Sequence, residues 1–188
     1  MKKNNLGNQN TIFNHFISEI RDVNIQNDSM RFRRNLERIG EIFAYEISKE
    51  MEYHNKDTKT PLGLSKDPLM IEKPILATIL RAGLPLHQGF LNYFDQSDSA
   101  FISAYRKHTT AEEFEIKIEY MSSPDVNDKT LILCDPMIAS GTSMIMAIEA
   151  ILTKGKPRHI HIVGVIASSK GIHHLIKNSP VTDCTLWI

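Results

Sequence analysis

Leu131-Ile132-Leu133-Cys134-Asp135-Pro136-Met137-Ile138-Ala139-Ser140-Gly141-Thr142-Ser143, followed by Met144-Ile145-Met146-Ala147-Ile148-Glu149-Ala150-Ile151-Leu152, decides how this chain folds. A short apolar run, an acid, small hydroxylated residues and a helical apolar pattern spell strand, loop and helix. A loop of small residues at a helix start presents free backbone N–H groups and the positive end of the helix dipole, which suit a phosphate. Ser140, Thr142 and Ser143 add hydroxyl donors. Asp135, at the strand's carboxyl end, is placed to accept hydrogen bonds from sugar hydroxyls. Phosphate donors beside a sugar acceptor point to a ribose 5-phosphate site. An ordinary strand–loop–helix connection with an N-cap would draw on similar residues.

Competing phosphate motifs do not fit. A Walker loop needs a lysine directly after its last glycine, and Thr142 follows Gly141. The Gly-x-Gly-x-x-Gly spacing of a dinucleotide site is absent too. At 188 residues the chain suits a single domain with a sizeable core. Its 41% apolar and 23% charged residues are those of a globular protein. Basic and acidic residues balance at 22 each, so no overall basic field calls for nucleic acid. The apolar runs are too short to span a bilayer, and Met1-Lys2-Lys3-Asn4-Asn5 lacks the apolar stretch of a signal peptide. Cys134 and Cys184 sit in apolar, strand-like surroundings and read as reduced core thiols. A cytoplasmic protein is the simple expectation.

Residues 11–22 carry a helical stripe of Ile12, Phe13, Phe16, Ile17 and Ile20. Asp28-Ser29 caps a longer helix holding Phe32, Leu36, Ile39, Phe43 and Ile47. Its Arg31, Arg33, Arg34 and Arg38 read as a solvated face or as a site for an effector phosphate. Residues 54–67 suggest a hairpin or loop, 74–80 a strand, 84–94 a helix and 100–105 a strand. Phe114, Ile116, Ile118 and Tyr120 alternate with charged residues, as in a strand with one wet face. After the phosphate loop, 158–167 reads as strand, 171–178 as a short helix and 183–188 as a final strand. The alternation predicts an α/β fold, a parallel central sheet with flanking helices, and an antiparallel β-arm from the 101–120 pair. His159 and His161 share one strand face and His173-His174 a short helix; without an acid or cysteine at ligand spacing they read as surface or packing residues.

Ile79-Leu80-Arg81-Ala82-Gly83-Leu84 repeats the strand–loop–helix logic with an arginine at the turn. Ligands of open α/β sheets gather beyond the carboxyl ends of the strands, so Arg81 and Asp135 are expected in one crevice. A guanidinium there suits a multidentate oxyanion. Taken with the Asp135 loop, this segment resembles the type I phosphoribosyltransferases. Asp-Pro-Met before a small-residue loop, with Thr78-Ile79-Leu80-Arg81-Ala82-Gly83-Leu84 ahead of it, is similar to the uracil phosphoribosyltransferase branch. Tyr105-Arg106-Lys107 resembles the family's Tyr-Arg segment, and 112–120 its arm over the site. The likeness runs from about residue 15 to the end, because Asp22-Val23, Arg31-Phe32-Arg33-Arg34 and Phe43-Ala44-Tyr45-Glu46 resemble the N-terminal helices.

The resemblance implies a reaction of uracil with phosphoribosyl diphosphate that yields uridine monophosphate and diphosphate. It assigns Arg81 and Arg106 to charge on the leaving group, with Mg²⁺ held by substrate diphosphate and ribose oxygens. Asp135 would hold the ribose hydroxyls, and Ala139, Ser140, Gly141, Thr142 and Ser143 the 5-phosphate; Pro136, Met137 and Ile138 complete the binding segment. It also implies a homodimer or higher homo-oligomer, and a non-proline cis peptide near Leu80-Arg81-Ala82.

Departures accompany the likeness. Ser140 and Thr142 stand where the family loop has Thr and Gly, so Thr142 is expected at negative φ in the first helical turn, its hydroxyl toward the phosphate. The family's Ala-Pro-Glu-Gly segment is Ser168-Ser169-Lys170-Gly171 here. The family's Gly-x-Gly-Asp stretch, which holds uracil, does not occur before Ile188. The 188 residues are therefore expected to lack the base-binding segment, and to bind phosphoribosyl diphosphate with little uracil turnover. A non-catalytic phosphoribosyl-diphosphate-binding regulatory module and a transferase for another base are the alternatives.

Overall fold

Strands as apolar as 75–80 and 131–134 must be buried on both faces, and that demand sets the architecture. The structure is a computed structural model that describes residues 1–108 and 114–188. Along the chain come β1 (Lys2–Asn4), α1 (Phe13–Arg21), α2 (Ser29–Ser48), β2 (Tyr53–Thr60), β3 (Gly63–Met70), β4 (Ile75–Leu80) and α3 (Leu84–Leu91). Then follow β5 (Ser99–His108), β6 (Phe114–Ser122), β7 (Thr130–Ile138), α4 (Thr142–Leu152), β8 (His159–Ala167), α5 (Ser169–Asn178) and β9 (Cys184–Trp187). One sheet runs β1-β9-β8-β7-β4-β5-β6, and β2 and β3 make a separate antiparallel hairpin. Neighbours in the main sheet are parallel except β5 and β6. The β5–β6 pair is the expected antiparallel arm; residues 112 and 113 of the segment assigned to it lie outside the described residues.

Strand alternation divides the core into two halves. Ile75, Ala77, Ile79, Leu131, Leu133, Ile160 and Ile162 face Met144, Ile145, Ile148 and Ile151 of α4 and Leu175 of α5. Leu76, Ile132, Cys134, Val163, Val165 and Trp187 face Phe13 and Ile17 of α1, Ile39 and Phe43 of α2, and Leu86 and Phe90 of α3. Helices α2 and α3 approach backbone to backbone, since a methyl on Gly40 would meet the Leu86 carbonyl and one on Gly89 the Glu37 carbonyl. Both cysteines are free thiols in this core, as expected, and burial pushes the Cys134 thiol up to about 12. Among the described residues, no helix is long and apolar enough to cross a membrane.

Asp28 caps α2 by accepting from the Arg31 N–H at 3.0 Å. Three of the four arginines of α2 have local partners. Arg31 pairs with Glu19 at 2.5 Å and Arg34 with Glu37 at 2.7 Å, while Arg38 lies over the Phe16 ring. A solvated, charge-compensated face accounts for them.

Two features differ from expectation. β1 is a strand only because Lys2, Lys3 and Asn4 pair with Thr185, Leu186 and Trp187, a tertiary contact that its polar residues do not announce. β7 does not end before Asp135 but continues to Ile138, with Asp135 opposite Gly164 and Ile138 opposite Ala167 of β8. Its pairing with β4 stops at Thr78–Cys134, so Pro136 lies beyond the last hydrogen-bonded pair on that side, where its missing N–H is not needed.

Candidate functional site

The carboxyl ends of β4 and β7 lie side by side, and each carries one loop of the site. At β4, the Leu80–Arg81 peptide is cis, in the segment where the resemblance placed one. Arg81 is exposed, and its carbonyl accepts from the Leu84 N–H at 3.3 Å. Gly83 is buried; a methyl on it would run into Thr78 Oγ1 and come within 2.8 Å of the Ile79 carbonyl. The same methyl would stand 3.4 Å from the Cys134 carbonyl, so the Arg81 turn abuts the residue before Asp135. On the other side of β4, β5 extends past its last pairing with β4, Leu80–Ser103, and Arg106 stands opposite Ile116 in the arm. Arg81, Arg106 and Asp135 thus come from three adjacent strands at one end of the sheet.

Asp135 is half-buried, and burial pushes its carboxyl up to about 6, opposed by a hydrogen bond from the Met137 N–H. It lines a hollow of about 240 Å³ with Met137, Ile138, Ala139, Ser140, Gly141, Ser143 and Met144. Gly141 has φ of 81° and precedes the first turn of α4 without a side-chain cap. The N–H groups at that helix start therefore have no side-chain acceptor from the N-cap position. Thr142 opens α4, and the only non-glycine residue with positive φ among those described is Asp128, so the expected sign at Thr142 holds. Its Oγ1 lies 3.2 Å from the Ser140 hydroxyl, which donates to it. Thr142 and Pro136 do not line the hollow. The sequence-assigned segment is thus one continuous wall, with two members turned aside.

Sequence reasoning missed what stands behind this wall. Ser168, just before α5, donates its hydroxyl to the Ala139 carbonyl at 2.6 Å. Gly171 packs so close that a methyl on it would collide with the Ala139 carbonyl and lie 2.8 Å from that of Ile138. A serine three residues before a glycine at a helix start signals a cap, but nothing local signals contact with a loop near residue 139.

Larger hollows, up to about 650 Å³, lie at the opposite end of the sheet, one of them lined in part by Asp128, Lys156, Arg158 and Asp183. Several of their charged groups are paired with one another. Arg158 bridges Glu72 at 2.9 Å and Asp128 at 3.1 Å, and His159 Nδ1 lies 3.0 Å from Asp183. His161 Nδ1 accepts from the Trp187 indole N–H at 3.1 Å, a packing role as expected. Ligands of such sheets collect at the carboxyl ends, and the smaller hollow is the one with unclaimed donors of the right kind.

The family pattern described as uracil phosphoribosyltransferase matches residues 8–188. The uracil phosphoribosyltransferase of Porphyromonas gingivalis is 52% identical over 183 residues, covering 97% of this chain and 84% of that protein. That of Sulfolobus acidocaldarius is 35% identical, with 90% of this chain and 81% of that one covered. In fold, a solved Aquifex aeolicus protein superposes with a TM-score of 0.83 at 23% identity, over 98% of this chain and 85% of its own. A hypoxanthine phosphoribosyltransferase of Staphylococcus aureus superposes at 0.52 and 12% identity, over 83% and 74%. These two likenesses bear on the fold alone. With the pattern spanning 8–188 and a relative 52% identical over 97% of it, this chain belongs to the uracil phosphoribosyltransferase family.

Proposed function

We propose that this protein joins uracil to phosphoribosyl diphosphate, releasing diphosphate and forming uridine monophosphate. Family membership supports the reaction. The observation that carries the site is the wall from Asp135 to Ser143, where an uncapped helix start faces a hollow with a carboxylate at its rim. In this reading, backbone N–H groups of 139–143 hold the 5-phosphate and Asp135 accepts from the ribose hydroxyls. The bond from C1 to diphosphate breaks as the bond to the uracil nitrogen forms, with positive charge developing on the ribose and the nitrogen's proton passing to solvent. Arg81 and Arg106 stabilise the negative charge that gathers on the departing diphosphate.

The donor chemistry suits Mg²⁺, because Asp135 is a hard oxygen ligand in surroundings that disfavour its bare charge. Asp135 would position the ribose oxygens that, with the diphosphate, would hold the ion. When bound, Mg²⁺ neutralises diphosphate charge. In the cell, the same reading makes the protein a cytoplasmic enzyme of pyrimidine salvage.

Uracil-dependent release of diphosphate tests the reaction. Arg81→Ala is expected to lower kcat/KM by roughly 10²-fold, as loss of a charge-stabilising donor does, and Arg106→Ala to act in the same direction. Binding of phosphoribosyl diphosphate without uracil turnover, in a protein that carries the family's base-binding stretch, would favour the regulatory module instead.

Asp135 makes the site pH-dependent. Its carboxyl accepts ribose hydroxyls best when ionised, so affinity should fall as pH drops through about 6. The substrate phosphate titrates near there too, so the readout is the Kd ratio between wild type and Asp135→Asn. Above pH 7 the variant should bind about ten- to a hundredfold more weakly, the loss of about 1.5–3 kcal/mol for a charged hydrogen bond, and the ratio should shrink below pH 6. The sign for folding is opposite. A raised carboxyl contributes stability that is present below the ordinary carboxylate range and lost as pH rises through about 6, so Asp135→Asn should flatten that decline. A Kd ratio constant from pH 5 to 8 would remove Asp135 from the site.

A homodimer or higher homo-oligomer belongs to the same proposal. The β2–β3 hairpin stands apart from the main sheet and exposes Leu62 and Leu64, apolar surface that a second copy would cover. Sedimentation equilibrium should give a multiple of the chain mass; a monomer at micromolar concentration would refute it.

A further inference from the structure

We propose that Ser168 is a positioning residue for the phosphate loop, its hydroxyl and backbone N–H turning the Ile138 and Ala139 carbonyls so that the amides after them face the substrate. The inference rests on the function proposed above and assigns that site a second layer.

Ser168 holds the loop at two consecutive peptides. Its N–H donates to the Ile138 carbonyl at 3.0 Å, and its hydroxyl donates to the Ala139 carbonyl at 2.6 Å. The same Oγ accepts the Gly171 N–H at 2.8 Å, so one hydroxyl caps α5 and anchors the loop with its donor and acceptor capacity both used. The only cis peptide among the described residues is Leu80–Arg81, so the two anchored peptides are trans. In a trans peptide the C=O and N–H point in opposite directions. Carbonyls pinned toward α5 therefore aim the Ala139 and Ser140 N–H groups away from it. That is the side of the hollow, which Ala139 and Ser140 line and Ser168 and Gly171 do not.

The packing leaves little room for another arrangement. A methyl on Gly171 would overlap the Ala139 carbonyl, and one on Gly141 would come within 2.7 Å of the Gly171 carbonyl. The loop is thus pressed against the start of α5, and the Ser168 hydroxyl adds the hydrogen bond that fixes its rotation. Ser168 stands at the position of the alanine in the family's Ala-Pro-Glu-Gly segment.

Ser168→Ala, Ser168→Gly and Ser168→Thr should be compared with wild type by calorimetric titration of phosphoribosyl diphosphate with Mg²⁺, and by steady-state kinetics in both substrates. Glycine is well tolerated at a helix N-cap, so Ser168→Gly removes the hydroxyl while disturbing α5 least. The expected result is a roughly five- to tenfold rise in Kd and KM for phosphoribosyl diphosphate in the alanine and glycine variants. The uracil KM should stay unchanged, and Ser168→Thr should return to within about twofold of wild type. A lower Tm with wild-type affinity would reduce Ser168 to a structural cap and overturn the proposal. If wild type binds phosphoribosyl diphosphate without converting uracil, the uracil reading gains no support while the Kd comparison still decides the role of Ser168. If wild type does not bind it at all, both fall.

Discussion

Backbone meets backbone where the β7–α4 loop crosses the start of α5, and the proposed site depends on that contact. Gly141 has φ of 81°, a conformation that costs a residue with a side chain much more than it costs glycine. The space a side chain would need there is taken by the Gly171 carbonyl, and the space beside Gly171 by those of Ile138 and Ala139. Two glycines on different elements thus let the chain pass from β7 into α4 without a cap from Gly141; the Thr142 N–H reaches the Ser140 hydroxyl at a long 3.4 Å, a contact an outside anion would replace. An exposed loop without such backing would have to be ordered by its ligand, and that ordering would weaken binding.

The sheet places this contact. Burial on both faces makes the central strands apolar throughout, so polar work is left to the strand ends and the loops beyond them. Parallel β4, β5 and β7 deliver Arg81, Arg106 and Asp135 to one end, because each connection returns to the other end before the next strand begins. The amino-terminal end has roomier hollows, yet Arg158 there is spent on a bridge to Glu72 and Asp128. Volume alone is a poor guide to the site in this molecule.

Much of this was legible in the residues. The apolar run 131–134, the small hydroxylated loop and the apolar helix after it read directly as strand, loop and helix, and 79–84 repeated the pattern with an arginine. The alternation from Phe114 to Tyr120 marked the outer strand of the arm. What was hidden is tertiary. β1 exists because β9 offers an edge, not because Lys2-Lys3-Asn4 prefers a strand. β7 runs on through Pro136 because β8 keeps pairing with it after the ladder to β4 has stopped, a fact about neighbours. Ser168 announced a helix cap, but its bond to Ala139 spans 29 positions, and no periodicity carries such information.

Amide NMR of the protein titrated with ribose 5-phosphate tests the central claim most directly, that backbone N–H groups at the β7–α4 junction hold the phosphate. Saturable shifts should concentrate in the amides of 139–143, with those around Thr130 and His159 at the opposite end of the sheet unmoved. Shifts centred on the amino-terminal hollows, with the loop amides silent, would contradict the account.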